Sequence, residues 1–224
     1  EDKEWRIRRA VVNAVALVAT KGDQDTLLAV SAHLEDSDWQ TRQAAVEALV
    51  QLAEKGDQLV VSTLSARLMD DASEVRLVVI EALAQVAVKG DKHVIASASA
   101  CLMDDNWHVR QAAVRTLTKV AEMGNEQAIT AVSSLFMDDA AEVRRTAAEG
   151  FPQFVEKGNE HATTTLIVFL QDEEWFIRHA AVVALGQVAK LGDHQVLNAL
   201  NGLLEDGYRP VREAAMRALD ALQI

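Results

Sequence analysis

The sequence predicts an all-α solenoid built from about six and a half copies of a 34-residue, two-helix unit. Three observations carry that prediction. An arginine recurs every 34 residues, at Arg8, Arg42, Arg76, Arg110, Arg144, Arg178 and Arg212, without one insertion or deletion. Six residues before each stands an aspartate: Asp2, Asp36, Asp70, Asp104, Asp138, Asp172 and Asp206. A glycine followed by Asp or Asn keeps the same step, at Gly22, Gly56, Gly90, Gly124, Gly158 and Gly192. Chance does not hold seven registers in phase, and a fixed period of this length marks a repeat architecture.

Each unit reads as two helices. The Gly-Asp pair supplies a C′ glycine and then an N-cap for the next helix. A first helix follows, for example from Asp57 to Leu68, with Val60, Val61, Leu64 and Leu68 on its apolar side. The polar turn Asp70-Asp71-Ala72-Ser73 interrupts it. A longer second helix runs from about Glu74 to Lys89, with Val75, Val79, Ala82, Leu83 and Val86 on one face. The chain opens on an unpartnered second helix, Glu4 to Thr20, so it holds seven second helices and six first helices. That helix lacks an N-terminal cap, and its open face predicts end-to-end self-association.

A unit of this size cannot bury its apolar face alone, whereas a stack of units shares one continuous core. Helix axes ~8–10 Å apart make the stack a curved rod on the order of 60 Å long. Contacts are then local, so residues 1–224 are expected to form a single repeat domain. The chain lacks an initiator Met and starts inside a repeat, which suggests an excised or engineered segment. Its register without indels fits recent duplication or design, while its varied surface argues against a pure consensus design.

Composition agrees with packed helices. Half of the 224 residues are apolar, only 4% are aromatic, and there are two prolines. The single cysteine, Cys101, rules out an internal disulfide framework and is compatible with a reducing, cytoplasmic compartment. No apolar run approaches the ~20 residues needed to cross a bilayer, and the first residues are not signal-like. A net charge of −12 speaks against nucleic acid, which calls for a Lys/Arg stripe.

The period alone admits tetratricopeptide repeats, but those need Trp, Leu-Gly and Tyr at set offsets in the first helix. This chain has one tyrosine, Tyr208, and no such helix. What recurs is Asp, a short turn, then Val-Arg-x-x-Ala, as in Asp104…Val109-Arg110-Gln111-Ala112-Ala113. That pattern resembles HEAT repeats over essentially the whole chain, in particular the short HEAT-like units of phycobilin lyases and of artificial proteins built on them. The resemblance implies a right-handed superhelix, and a scaffold or binding module in place of a catalyst. It also implies that the second helices line the concave surface.

The recurrent arginine has a physical reading of its own. On a helical wheel Arg76 falls within the arc of Val75, Val79, Ala82, Leu83 and Val86. A guanidinium facing a packed interface needs a partner, because an unpaired buried charge is expensive. The aspartate of the turn can supply it through charge-assisted hydrogen bonds. A ladder of Asp–Arg pairs follows: Asp36, Arg42, Asp70, Arg76, Asp104, Arg110, Asp138, Arg144, Asp172, Arg178, Asp206 and Arg212. Pairs within a unit and pairs between units both satisfy the pattern.

Function should lie where the units differ. The exposed side of each second helix carries the residues two before, one after and five after the arginine, with the residue three before it at the edge. All four tryptophans, Trp5, Trp39, Trp107 and Trp175, take that edge position. A protein partner is therefore expected on Trp39, Gln43, Trp107, His108, Gln111, Arg115, Arg145, Trp175, Phe176, His179 and Val183. Large amphipathic rings are typical anchors for such a partner, and the apolar group Trp175, Phe176, His179 and Val183 marks its centre. The competing account has each tryptophan covering the gap between stacked units.

Gly150-Phe151-Pro152 breaks the helical rules in the middle of the fifth second helix, where a kink near Pro152 is expected. Pro210 lies in a helix first turn and is harmless. No chemistry of a known type assembles. His33, His93, His108, His161, His179 and His194 form no His-Glu-x-x-His and have no cysteine at ligand spacing. No His-Glu pair occurs of the kind that holds iron in the HEAT-repeat deoxyhypusine hydroxylases. No phosphate loop or Gly-x-Ser-x-Gly elbow is present. Neither a metal nor a cofactor is expected. A bilin lyase-like activity is the enzymatic alternative and rests on the resemblance alone. A DNA-binding HEAT stack is weaker still, since Glu47, Glu74, Glu81, Glu142 and Glu149 spoil a basic face.

Overall fold

A computed structural model describes residues 4–223 of the chain. Thirteen α-helices and no strands occur among the described residues. They group into two compact units, residues 1–120 and 121–224.

The first unit holds α1 (Glu4–Val18), α2 (Gln24–Ser31), α3 (Trp39–Leu52), α4 (Gln58–Ser65), α5 (Ser73–Val86), α6 (Lys92–Cys101) and α7 (Trp107–Val120). Second helices pack on second helices, α1 on α3, α3 on α5 and α5 on α7, while α2, α4 and α6 pack on α3, α5 and α7. The second unit holds α8 (Glu126–Ser133), α9 (Ala141–Gly150), α10 (Glu160–Phe169), α11 (Trp175–Val188), α12 (His194–Asn201) and α13 (Arg209–Leu222). There α9 packs on α11 and α11 on α13, with α10 against α11 and α12 against α13. The architecture is that of an α-solenoid.

The helices stop short of the sequence-based ends. The first helix expected from Asp57 to Leu68 spans Gln58–Ser65, and the second expected from Glu74 to Lys89 spans Ser73–Val86. In α2, α8 and α12 the shortfall becomes a 3-10 turn, as in Ala32–Glu35, which tightens the last turn before the acidic loop.

The Gly-Asp turn does more than cap. Gly56 has φ +83°, a left-handed conformation that side chains disfavour. Its N–H donates 2.7 Å to the carbonyl of Val86, the last residue of the next unit's second helix. Gly22 to Leu52 and Gly90 to Val120 repeat that bond, as do Gly124 to Phe154, Gly158 to Val188 and Gly192 to Leu222. Each bond satisfies a carbonyl at or just past the end of a second helix, where no partner remains in its own helix. In every repeat but the first, where the Asp23 side chain makes no cap bond, the residue after the glycine caps the next helix: Asp57 Oδ1 accepts from Leu59 and Val60, and Asn125 Oδ1 accepts from Ala128.

Pro152 produces a break in place of the expected kink. Helix α9 ends at Gly150 after 10 residues, whereas α3, α5, α7, α11 and α13 run for 14. A 3-10 turn, Phe151–Gln153, completes the segment. Proline has no N–H to continue the ladder, and its ring crowds the preceding turn. Phe151 and Phe154 are fully buried, edge to face at 5.8 Å, where other units carry Leu or Val. Gly150 takes the place of an alanine or threonine beside those larger rings.

Candidate functional site

The framework behind the candidate surface is set by the arginine-aspartate register. Arg42 Nε and Nη2 donate to Asp70 at 2.8 and 2.6 Å, a bidentate pair. Its Nη1 donates to the backbone carbonyl of Asp36 at 2.9 Å. The carboxylate partner thus lies in the following unit, and the aspartate of the arginine's own turn supplies only its carbonyl. Arg8–Asp36, Arg76–Asp104, Arg144–Asp172 and Arg178–Asp206 repeat the pairing. The carbonyl bond recurs from Arg76 to Asp70, Arg110 to Asp104, Arg144 to Asp138, Arg178 to Asp172 and Arg212 to Asp206. Asp2 lies outside the described residues. Each aspartate also takes the N–H two residues on, as Asp36 does from Asp38 and Asp206 from Tyr208.

These contacts set the protonation states. Hydrogen bonds from Arg8 and Arg178 hold Asp36 and Asp206 below the ordinary carboxyl value. Burial pushes Asp70 and Asp104 upward, but the arginine and backbone hydrogen bonds outweigh it and both end lowered. The arginines are raised in turn, first by the same hydrogen bonds. Asp36, Asp70, Asp104 and Asp206 are therefore charged at neutral pH.

In the first unit the expected partner-facing residues lie along α3 and α7. Trp39 opens α3 and is 36% exposed, and Gln43 donates to Glu47 at 2.7 Å. Trp107 opens α7 half-buried, its ring stacked on His108 at 3.6 Å. Gln111 is half-buried and Arg115 exposed. Two clefts flank α5, one of about 310 Å³ against α3 and one of about 350 Å³ against α7. Glu81 and Gln85 line both, and Arg115 and Lys119 line the second.

In the second unit the residues form one chain of contacts. The Arg145 guanidinium lies over the Phe176 ring at 5.9 Å and pairs with Glu149 at 2.7 Å. Phe176 meets Trp175 edge to face at 6.0 Å, and Trp175 stacks on Tyr208 at 5.7 Å. Arg178 in turn lies over Tyr208. His179 is half-buried and Val183 is 42% exposed. Trp175 therefore bridges α11 and the turn before α13, as the gap-covering account expects, while Phe176, His179 and Val183 stay partly exposed on α11. Tyr208 was missed in the sequence. It is the one tyrosine and stands one residue before Arg209, which holds the position the tryptophans take in other repeats, so its aromatic character next to that register was the available signal.

Among the described residues no three His, Cys, Asp or Glu side chains gather closely enough to hold a metal ion. Among them, too, no helix is long and apolar enough to cross a membrane.

This arrangement defines a repeat scaffold of the α-solenoid class, a fold typical of protein-binding scaffolds and generally non-enzymatic. The family model for HEAT repeats matches residues 1–84, 61–151 and 138–220, and the chain belongs to that family. A designed armadillo repeat protein in complex with the peptide (KR)4 is similar at TM-score 0.65 and 21% identity, over 88% of this chain and 99% of that one. An archaeal HEAT-like repeats protein from Thermococcus onnurineus is similar at TM-score 0.66 and 16% identity, over 99% of this chain and 98% of that one. At these identities the likeness speaks for the fold. No curated protein sequence matches the chain.

Proposed function

We propose that the chain is a non-catalytic scaffold that holds a protein partner on the exposed face of its second helices. One observation carries this reading. The glycine, aspartate and arginine positions repeat the same bonds from unit to unit, while the residue after each arginine changes from Gln43 to Leu77, Gln111, Arg145 and His179. The framework positions build the stack, and the varied positions differ from repeat to repeat in what they present to a partner. In the second unit Phe176, His179 and Val183, with Arg145 over the Phe176 ring, offer an apolar centre with a charged border. In the first unit Trp107, His108, Gln111 and Arg115 on α7, and Trp39 and Gln43 on α3, offer a more polar contact. A buried apolar anchor inside a polar rim is the usual anatomy of a protein contact. The bound (KR)4 peptide of the designed armadillo protein supports the capacity of such a stack to take a protein segment.

The test is affinity capture with the chain and with a Phe176→Ser/Val183→Asp variant as baits. A partner held by the first and lost by the second, at equal helicity, supports the face on α11. Equal capture by both baits removes it.

A further inference from the structure

A second surface of the first unit lies away from the second-helix face, where the ends of α4 and α6 meet the acidic turns. A cavity of about 510 Å³ opens there, a size that accommodates a small ligand or a short segment of chain. Leu68, Ala100 and Cys101 form part of its apolar wall, and Leu68 and Cys101 are each 7% exposed. Met69 and Met103 also line it, although they are 91% and 81% exposed. Two unbranched thioether side chains in water at the mouth of a cavity are unusual for a framework residue and suited to wrapping an apolar group. The same repeat position carries Glu35, Gln171 and Glu205 in other turns, so the methionines are not demanded by the stack.

The polar part of the lining is unbalanced. Asp104 and Asp105 share one guanidinium, that of Arg76, and Asp70 shares Arg42 with Asp71, so each arginine answers two carboxylates. The Asp105 carboxylate, although paired with Arg76, is 87% exposed.

We infer that this cavity is a second docking site, for a segment of a partner protein in which one leucine-sized apolar side chain sits between arginines or lysines. The apolar side chain enters between Met69 and Met103 against Leu68 and Cys101. The flanking cations face Asp105 and the excess carboxylate charge. Opposite charge at the rim selects cationic segments, and the apolar wall selects among them. The site does not depend on the second-helix face.

The test is fluorescence anisotropy with the full chain and a labelled peptide that carries leucine between arginines. Two control peptides replace the leucine by serine or the arginines by glutamate. The leucine peptide is expected to bind, with affinity falling as salt rises, and the serine peptide to bind roughly tenfold more weakly. Met69→Ser/Met103→Ser changes two exposed side chains and keeps the fold, and Ala100→Trp fills the cavity. Both are expected to weaken the leucine peptide by a similar factor, while Phe176→Ser/Val183→Asp leaves it unchanged. Equal binding of the leucine and serine peptides would reduce the site to general charge attraction and overturn the proposal. So would an affinity indifferent to both cavity variants, or no binding at all.

Discussion

Replacing Arg42 by alanine should be far more damaging than its place near the surface of a thin stack suggests. Arg42 and Asp70 have only 10% and 6% of their side-chain surface exposed. The substitution removes two bonds to Asp70, one to Asp71 and one to the Asp36 carbonyl. It also strands the Asp70 carboxylate, which keeps only the Ala72 N–H at 3.0 Å. Breaking one side of a buried, hydrogen-bonded ion pair costs about 3–5 kcal/mol, most of it from the charge left behind. The double variant Arg42→Ala/Asp70→Ala has no stranded charge and should be more stable than the sum of the single changes by at least about 1 kcal/mol. Glu149→Ala supplies the contrast, since its pair with Arg145 is about half exposed on both sides and is worth about 0.5 kcal/mol or less. Urea denaturation followed by helical circular dichroism measures the parent chain, Arg42→Ala, Asp70→Ala, their double variant and Glu149→Ala. Stability in a repeat stack is a sum of unit and neighbour terms, so the loss belongs to one interface. A cost for Arg42→Ala below about 1 kcal/mol, comparable with that of Glu149→Ala, would refute the view that the ladder holds the units together.

Other consequences follow from the same geometry. Gly56→Ala should lower the melting temperature more than Gly192→Ala: both glycines have positive φ, but a Cβ at Gly56 falls 2.9 Å from Val88 Cγ1 and one at Gly192 meets nothing within 4 Å. Equal effects would leave backbone strain as the whole cost. Asp36, Asp70, Asp104 and Asp206 titrate below the ordinary 3.8. Their stabilisation is complete above the unfolded-state value of about 3.9 and is lost as pH falls through the lower folded values. Denaturation midpoints should therefore stay level from neutrality to about pH 5 and drop below about pH 4, and a steep loss already at pH 6 would contradict this. Cys101 is 7% exposed, and burial pushes its thiol up to about 11, so thiol reagents should label it slowly at neutral pH until the chain unfolds. Rapid labelling of the folded protein would show that the cavity wall opens.

The sequence made the fold legible because its repeat multiplies weak signals. One Asp six residues before one Arg means little, whereas seven such pairs in register locate every turn. The partner of each arginine was not legible, for a geometric reason. Helical spacing brings the preceding aspartate near, but the side chain reaches forward across the interface to a residue 28 positions on, a distance set by stacking and not by periodicity. The same holds for the Gly56 N–H to Val86 carbonyl bond, which no local pattern announces. At Pro152 the sequence located the disturbance, and the structure shows the helix ending at Gly150 in a 3-10 turn where a kink was expected, with Phe151 and Phe154 buried beside it. On the candidate surface the wheel gave only register: Phe176 and Val183 are partly exposed on α11, while Trp175 stacks on Tyr208 of the next repeat, a contact that periodicity does not announce.

That division explains how one chain can combine a strict frame with a free surface. A single aspartate such as Asp70 accepts the guanidinium of Arg42, caps its own turn at Ala72 and offers its carbonyl to Arg76. Three demands on one residue leave little room for exchange at that position. Positions such as Val183 carry no framework bond, and substitution there alters only what meets the solvent or a partner. Loss of binding without loss of stability is therefore the expected signature of changes at Val183 and Phe176. The reverse signature belongs to Arg42 and Asp70. A variant of the first kind that also lowered the melting temperature as Arg42→Ala does would show that frame and face are coupled, and the surface on α11 would then be part of the stack.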